Sequence, residues 1–239
     1  MNEFETILKS VQPYAIGIAF ISLYAAEHVF PQRQYNITYK HDAGNILIGI
    51  ANFVAAGAGG YFLQIWIAWL GHHHVGLLQF LPDIFWLRTA IGFVLIDIYM
   101  YWWHKANHKI NFLWRFHSFH HKDQSMNSTT AIRFHSIELL LSYVVKFVIF
   151  PLFGLNVAAV LLHSIILFPV IVFHHSNTKI TERADLLLRY LFVTPFMHRI
   201  HHSKLPQEMN SNYGSIFPYW DGLFRSYTPK PSREIEFGI

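Results

Sequence analysis

Cysteine is absent from this chain of 239 residues. That excludes disulfides, cysteine-held iron–sulfur clusters and thiolate zinc sites. Charge is scarce too. Asp, Glu, Lys and Arg make up 13% of the residues, where soluble domains average about 25%. No HExxH sequence and no pair of Glu-x-x-His elements occurs, which argues against a zincin and against a ferritin-like di-iron bundle. Neither GxGxxG nor a Walker sequence is present, so no nucleotide is bound by those routes. The basic excess is small, 18 Lys and Arg against 14 Asp and Glu, and it accompanies long apolar runs. We assign it to membrane orientation and lipid headgroups, with no nucleic acid as partner.

What the chain has in abundance is apolar surface: 53% of its residues are hydrophobic. The length suits one domain over residues 1–239. Val11–Ala26 is a short apolar run. Glu3 and Glu5 precede it where a signal peptide would be basic, so it reads as a membrane helix. Ala43–Leu70 carries no charged residue and is long enough to span. Its small-residue patch, 55–60, lets another helix approach closely. Ile84–Trp103 is a third span, interrupted by Arg88 and Asp97 and ending in an aromatic belt of Tyr99, Tyr101, Trp102 and Trp103. Ile137–Leu155 and Asn156–Phe173 are each marginal for a crossing. They read either as full spans or as a hairpin returning to its own side. The expected fold class is an all-α integral membrane protein with about four to five membrane helices and a cytoplasmic histidine-box cap. Thr181–Val193 is amphipathic and is expected to be an interfacial helix capped by Thr181.

Orientation follows from Lys and Arg. The loop after Trp103 holds Lys105, Lys109, Arg115, Lys122 and Arg133, and the tail from His174 is also basic. The loop Gly71–Asp83 has neither residue type. Both basic segments are therefore expected on the cytoplasmic face, of a bacterial inner membrane or an endoplasmic reticulum membrane.

The 17 histidines are not scattered. His104 and His108 stand at i, i+4. His117, His120 and His121 stand at i, i+3, i+4, and so do His198, His201 and His202. On a helix each set projects from one face. HxxHH is expected roughly 0.08 times by chance in such a chain, and it occurs twice. A histidine-rich surface loop is the bland alternative. Eight clustered imidazoles exceed the needs of one ion and point to a two-metal site, with iron as the metal that does O2 chemistry on histidine ligands. His72, His73 and His74 are adjacent, so their side chains diverge; they also fall on the opposite side of the membrane and are set aside. His28 and His41, in the polar stretch Glu27–Asp42, read as ordinary loop residues. His163 lies inside an apolar run and is weighed as a further ligand against a buried structural histidine. Asp97 is seven residues before His104 and shares its face. It is weighed as a hydrogen-bond acceptor for a ligand imidazole against a structural tie between helices.

This ordered set resembles the membrane fatty acid hydroxylase/sterol desaturase superfamily. Asp97 through His104 resembles its helix into the first histidine box, and Leu113-Trp114-Arg115-Phe116-His117 the lead into the second. Arg133-Phe134-His135-Ser136-Ile137-Glu138 resembles its R-x-H-P-x-E element, and Phe173-His174-His175-Ser176-Asn177 its F-Q-H-x-N element. Thr194 through Ser203 resembles TPxxHRxHHS, and Asn212-Tyr213-Gly214 with Trp220-Asp221 and Phe224 its closing motif. The match covers about residues 85–228. Lys105, Lys122, Ser136 and Arg225-Ser226-Tyr227 depart from the pattern, and none removes a box histidine.

The resemblance implies a non-haem di-iron oxygenase, with His104, His108, His117, His120, His121, His175, His198, His201 and His202 as catalytic metal ligands. His175 enters on the resemblance alone. His174 takes the usual Gln position and is left out. His135 is weighed as ligand or outer partner, and Glu138 and Asp221 as outer acceptors. Two iron ions are the expected cofactors, with zinc loading on overproduction and O2 as co-substrate. The expected partners are a membrane lipid, hydroxylated at a C–H bond, and an external electron donor of cytochrome, ferredoxin or reductase type. Desaturation or ether-lipid cleavage is the alternative within the superfamily. A membrane metal transporter or binding protein is the alternative outside it.

Overall fold

The computed structural model describes residues 2–34 and 39–239, and the described residues form helices joined by short connections. The first is α1, Glu3–Val29, opened by a capping box in which Asn2 accepts from Glu5 N. Next come α2, Tyr39–His72; α3, Phe85–Lys109; α4, Asn111–His121; α5, Ser136–Phe153; and α6, Val157–His175. The short helices α7, Glu182–Leu188; α8, Pro195–His201; α9, Pro206–Met209; and α10, Tyr219–Leu223 follow.

Five of these helices run between two ends of a bundle. At one end Phe4 of α1 packs on Phe85 and Trp86 of α3, and the α2–α3 connection meets the α5–α6 turn. Gly76, at φ 108°, touches Gly154, at φ 72°; a Cβ on Gly76 would lie 2.3 Å from the Gly154 Cα. Only glycine fits both the left-handed backbone and the close approach. This contact shows that α5 and α6 run the full distance away from the histidines and back. His72, His73 and His74 lie at this end, with the His73 ring against Trp69.

Helices α1, α2, α5 and α6 are long and apolar enough to cross a membrane. The expected third span, now α3, is not among them. It is long, but it carries Arg88, Thr89 and Asp97 before the first histidine box, and the last two are buried inside the bundle. Helix α6 is the central element, packing on α1, α3 and α8. Helix α5 packs chiefly on α2, where Tyr143 lies against Gly59 and donates to Ala56 O at 2.7 Å. The small-residue patch makes that approach possible.

The polar stretch read as a loop over Glu27–Asp42 is helical at both ends, with residues 35–38 outside the described residues. His28 and His41 are not loop residues: they close α1 and open α2. With 34 residues, α2 is about 51 Å long, against a hydrocarbon core of about 30 Å. Its first turns brace the segment after α4, through Asp42 to Asn127 and Asn45 to Asp123 and Thr129. The expected interfacial helix is shorter than its amphipathic interval. It stops at Leu188 and leaves Leu187, Tyr190 and Leu191 exposed.

Candidate metal centre

Four helices deliver the histidines. A single extended residue, Ile110, separates α3 from α4, so the chain folds back and the His117 ring comes within 5.2 Å of His104. Helix α8 starts at Pro195, whose missing N–H costs nothing at a helix start, and Thr194 caps it. His175 is the last residue of α6.

Two ligand sets result. His104, His108, His117, His121 and His201 form one, and His120, His175, His198 and His202 form the other; within each set one ring nitrogen per residue lies within 4.8 Å of all the others. The helical period explains the partition. Residues i and i+4 lie about 40° apart around a helix, while i+3 and i+4 diverge by about 100°. Helix α4 therefore gives His117 and His121 to the first set and His120 to the second. Helix α8 gives His198 and, just past its end, His202 to the second set and His201 to the first.

Outer hydrogen bonds fix which nitrogen faces inward. Nδ1 of His104 donates to Tyr213 O at 2.9 Å, that of His201 to Ser211 O at 2.7 Å, and that of His117 to the Glu138 carboxylate at 2.8 Å. In the second set His120 donates to Arg133 O at 3.2 Å and His175 to Ile171 O at 2.8 Å. A carbonyl only accepts, so each of these imidazoles carries its proton on Nδ1 and turns a bare Nε2 lone pair inward. The Nε2 atoms of His120 and His175 are 3.1 Å apart. Two lone pairs at that distance repel unless a cation lies between them. Nε2 of His117, His201 and His202, and both nitrogens of His108 and His121, are buried without any hydrogen-bond partner. This donor set fits divalent cations, and its all-nitrogen character fits iron, zinc or copper.

Burial first, and neighbouring imidazoles second, hold His120, His121, His198 and His202 well below the ordinary imidazole range. His201 is pushed down to about 3 by burial, with the Ser211 carbonyl opposing. The lone pairs of these five stay unprotonated at neutral pH.

The remaining expected residues are placed differently. Asp97 touches no box imidazole. It accepts from Trp220 Nε1 at 2.7 Å, from the Ile216 and Phe217 amides, and from His163 at 3.3 Å, so it anchors the tail to α3. His163 is held by Asp97, away from both sets. His135 caps α5 through Ile137 N and also stands apart. Glu138 does reach a box imidazole. Asp221 acts one step further out: it accepts from the amides of Tyr213 and Gly214 and so holds the carbonyl that orients His104. Burial pushes the Asp221 carboxyl up to about 6, against those hydrogen bonds. His174, set aside on the resemblance, is buried with its ring 3.9 Å from that of His198.

Sequence reasoning missed a brace built by α1 and α2. The buried Glu27 carboxylate accepts from Ser128 N at 2.9 Å and Asn177 N at 2.8 Å. His41 bridges Asp42 and Asp123 at 2.9 and 2.7 Å. Asn45 binds Asp123 and accepts from Arg133, whose carbonyl holds His120. No motif marks these residues: apart from the adjacent His41–Asp42 pair, their partners are 78 or more positions away.

A family model described as fatty acid hydroxylase matches residues 89–226. Alkylglycerol monooxygenase of Xenopus tropicalis is 27% identical over 155 residues, covering 63% of this chain and 32% of the relative. Ornithine lipid hydroxylase OlsE of Rhizobium tropici is 30% identical over 155 residues, covering 64% and 45%. Human alkylglycerol monooxygenase is 24% identical over 154 residues, covering 64% and 33%. The chain thus spans between about a third and a half of the length of these relatives. No solved structure matches.

Proposed function

The chain belongs to the fatty acid hydroxylase family, and from that premise we propose that it is a di-iron membrane oxidoreductase that hydroxylates a lipid. The overall reaction takes a lipid C–H bond, one O2, two electrons and two protons to the alcohol and one water. The observation that carries this reading is the pair of adjoining all-imidazole sets, five and four residues, in which the five histidines held through Nδ1 turn their Nε2 lone pairs inward. Neutral ligands leave the charge of two divalent ions uncompensated, which suits a site that binds dioxygen. Bound iron would supply the O2 chemistry. The protein's part is to hold the imidazoles in one tautomer, through Tyr213, Ser211, Arg133 and Ile171 carbonyls and Glu138, and to keep them buried.

No flavin or haem motif is present, so the electrons come from an external donor of cytochrome, ferredoxin or reductase type. The lipid enters from the bilayer between helices; exposed apolar side chains on α1, α2 and α5 suit contact with acyl chains. Hydroxylation is favoured over desaturation because the relatives' names are monooxygenase and hydroxylase. A transporter would hold its ligands near the bilayer midplane, whereas both sets gather at one end of the bundle.

The test is iron-loaded protein with a reducing system and membrane lipid under ¹⁸O2. Mass spectrometry should find a lipid heavier by one labelled oxygen, absent with His121→Ala. A new double bond without label would establish a desaturase instead, and no O2-dependent change in any lipid class would sink the oxygenase reading.

We further propose that the histidine end faces the cytoplasm, on the Lys and Arg distribution. Lys122→Cys and Lys230→Cys, both exposed, should react with a membrane-impermeant maleimide in inverted vesicles and not in intact cells, and His73→Cys the reverse. Labelling of Lys122→Cys from outside the cell overturns this orientation.

A further inference from the structure

Past its first residue, α5 is apolar except for Glu138, Ser142, Tyr143 and Lys146. Glu138, Ser142 and Lys146 stand at i, i+4 and i+8, one above another on a single face. The other face, with Leu140, Val144, Val148 and Leu152, is exposed and suits contact with lipid. The polar stripe begins at the metal centre, where Glu138 holds His117 at 2.8 Å. It passes Ser142, buried beside the Tyr99 hydroxyl of α3. It ends at Lys146, whose Nζ lies 5.1 Å from the Tyr143 ring centroid and within electrostatic reach of His163 on α6. Among the described residues no carboxylate pairs with Lys146.

A charged side chain inside a membrane span is costly, and such groups are found paired or facing a cavity. Because α5 packs chiefly on α2 while α6 packs on α1 and α3, the two arms of the hairpin part beyond their turn; Lys146 belongs to one arm and His163 to the other. Eight residues of helix separate Lys146 from Glu138, about 12 Å along the axis.

We propose that this stripe is a substrate-recognition element: Lys146, assisted by Ser142 and Tyr99, holds an anionic oxygen group of the lipid, a carboxylate or a phosphate, so that a carbon about 12 Å away lies at the histidine sets. What happens at that carbon rests on the hydroxylase reading; the binding does not.

The experiment is equilibrium binding of radiolabelled stearate, stearyl phosphate and methyl stearate to zinc-loaded protein in nanodiscs. Zinc does no redox chemistry, so turnover plays no part. The charged ligand that fits, acid or phosphate, should bind about tenfold or more tightly than the ester. Lys146→Met should abolish that preference and Lys146→Arg should keep most of it, both at unchanged metal content. Equal binding of all three ligands to the parent protein, or a preference surviving in Lys146→Met, overturns the proposal. A Lys146-dependent preference without any labelled product under ¹⁸O2 would overturn the hydroxylase reading alone.

Discussion

Purified His120→Ala and His201→Ala should each retain about one metal ion where the parent chain holds about two. The two ligand sets share no residue, so each substitution removes a nitrogen from one ion only. His201 is one of five in its set and His120 one of four, so His120→Ala should strip its ion the more completely. A His120→Ala/His201→Ala double variant should hold neither ion. His73→Ala, at the opposite end of the bundle, should lose nothing. Metal content by mass spectrometry, on protein that still inserts and elutes as a single species, decides the matter. Two ions in His120→Ala would sink the ligand assignment, and loss of both from either single variant would sink the partition into separate sets.

Glu27→Ala should be the most damaging single change outside the family-matched segment. Its carboxylate is 3% exposed and accepts from the amides of Ser128 and Asn177. Ser128 follows the second histidine box, and Asn177 lies two residues past His175. Truncation leaves two buried amides unsatisfied, at about 1–3 kcal/mol each, or roughly 2–6 kcal/mol together. The thermal midpoint should fall by on the order of 10 °C. The two clamped segments carry His120 and His175, so the metal of the four-histidine set should be lost first on dialysis against a chelator. Glu27→Gln keeps one acceptor oxygen and should recover part of both effects. Glu3→Ala, exposed at the other end of α1, is the control. A Glu27→Ala protein with parental midpoint and parental chelator resistance would show that the brace does not support the site.

The two predictions differ in how far a reader of the sequence could have anticipated them. Histidines repeated at i, i+3, i+4 declare themselves, because the helix that aligns them is local and its period is known. His175 has no such partner at helical spacing and is legible only through the resemblance to the F-Q-H-x-N element. Glu27, His41 and Asp42 looked like a polar connection. Their neighbours Ser128, Asn177 and Asp123 are brought to them by the packing of α1 and α2, and an amide N–H offers no residue type to recognise. Asp97 misled for a related reason. Its register with His104 is real, but register says only which face a side chain shares, and the tail from Ile216 to Trp220 took the carboxylate first.

By itself the sequence determined the helical membrane class, the apolar lengths and eight of the nine converging imidazoles, since each depends on composition or on spacing within one helix. The tertiary structure alone decided that α5 and α6 run the whole bundle, that each HxxHH triplet divides between two sets, and which carbonyls fix the tautomers. Those features depend on where separate helices stop relative to one another, and that is set by contacts such as Gly76 on Gly154 and Glu27 on Ser128, between residues far apart in the chain.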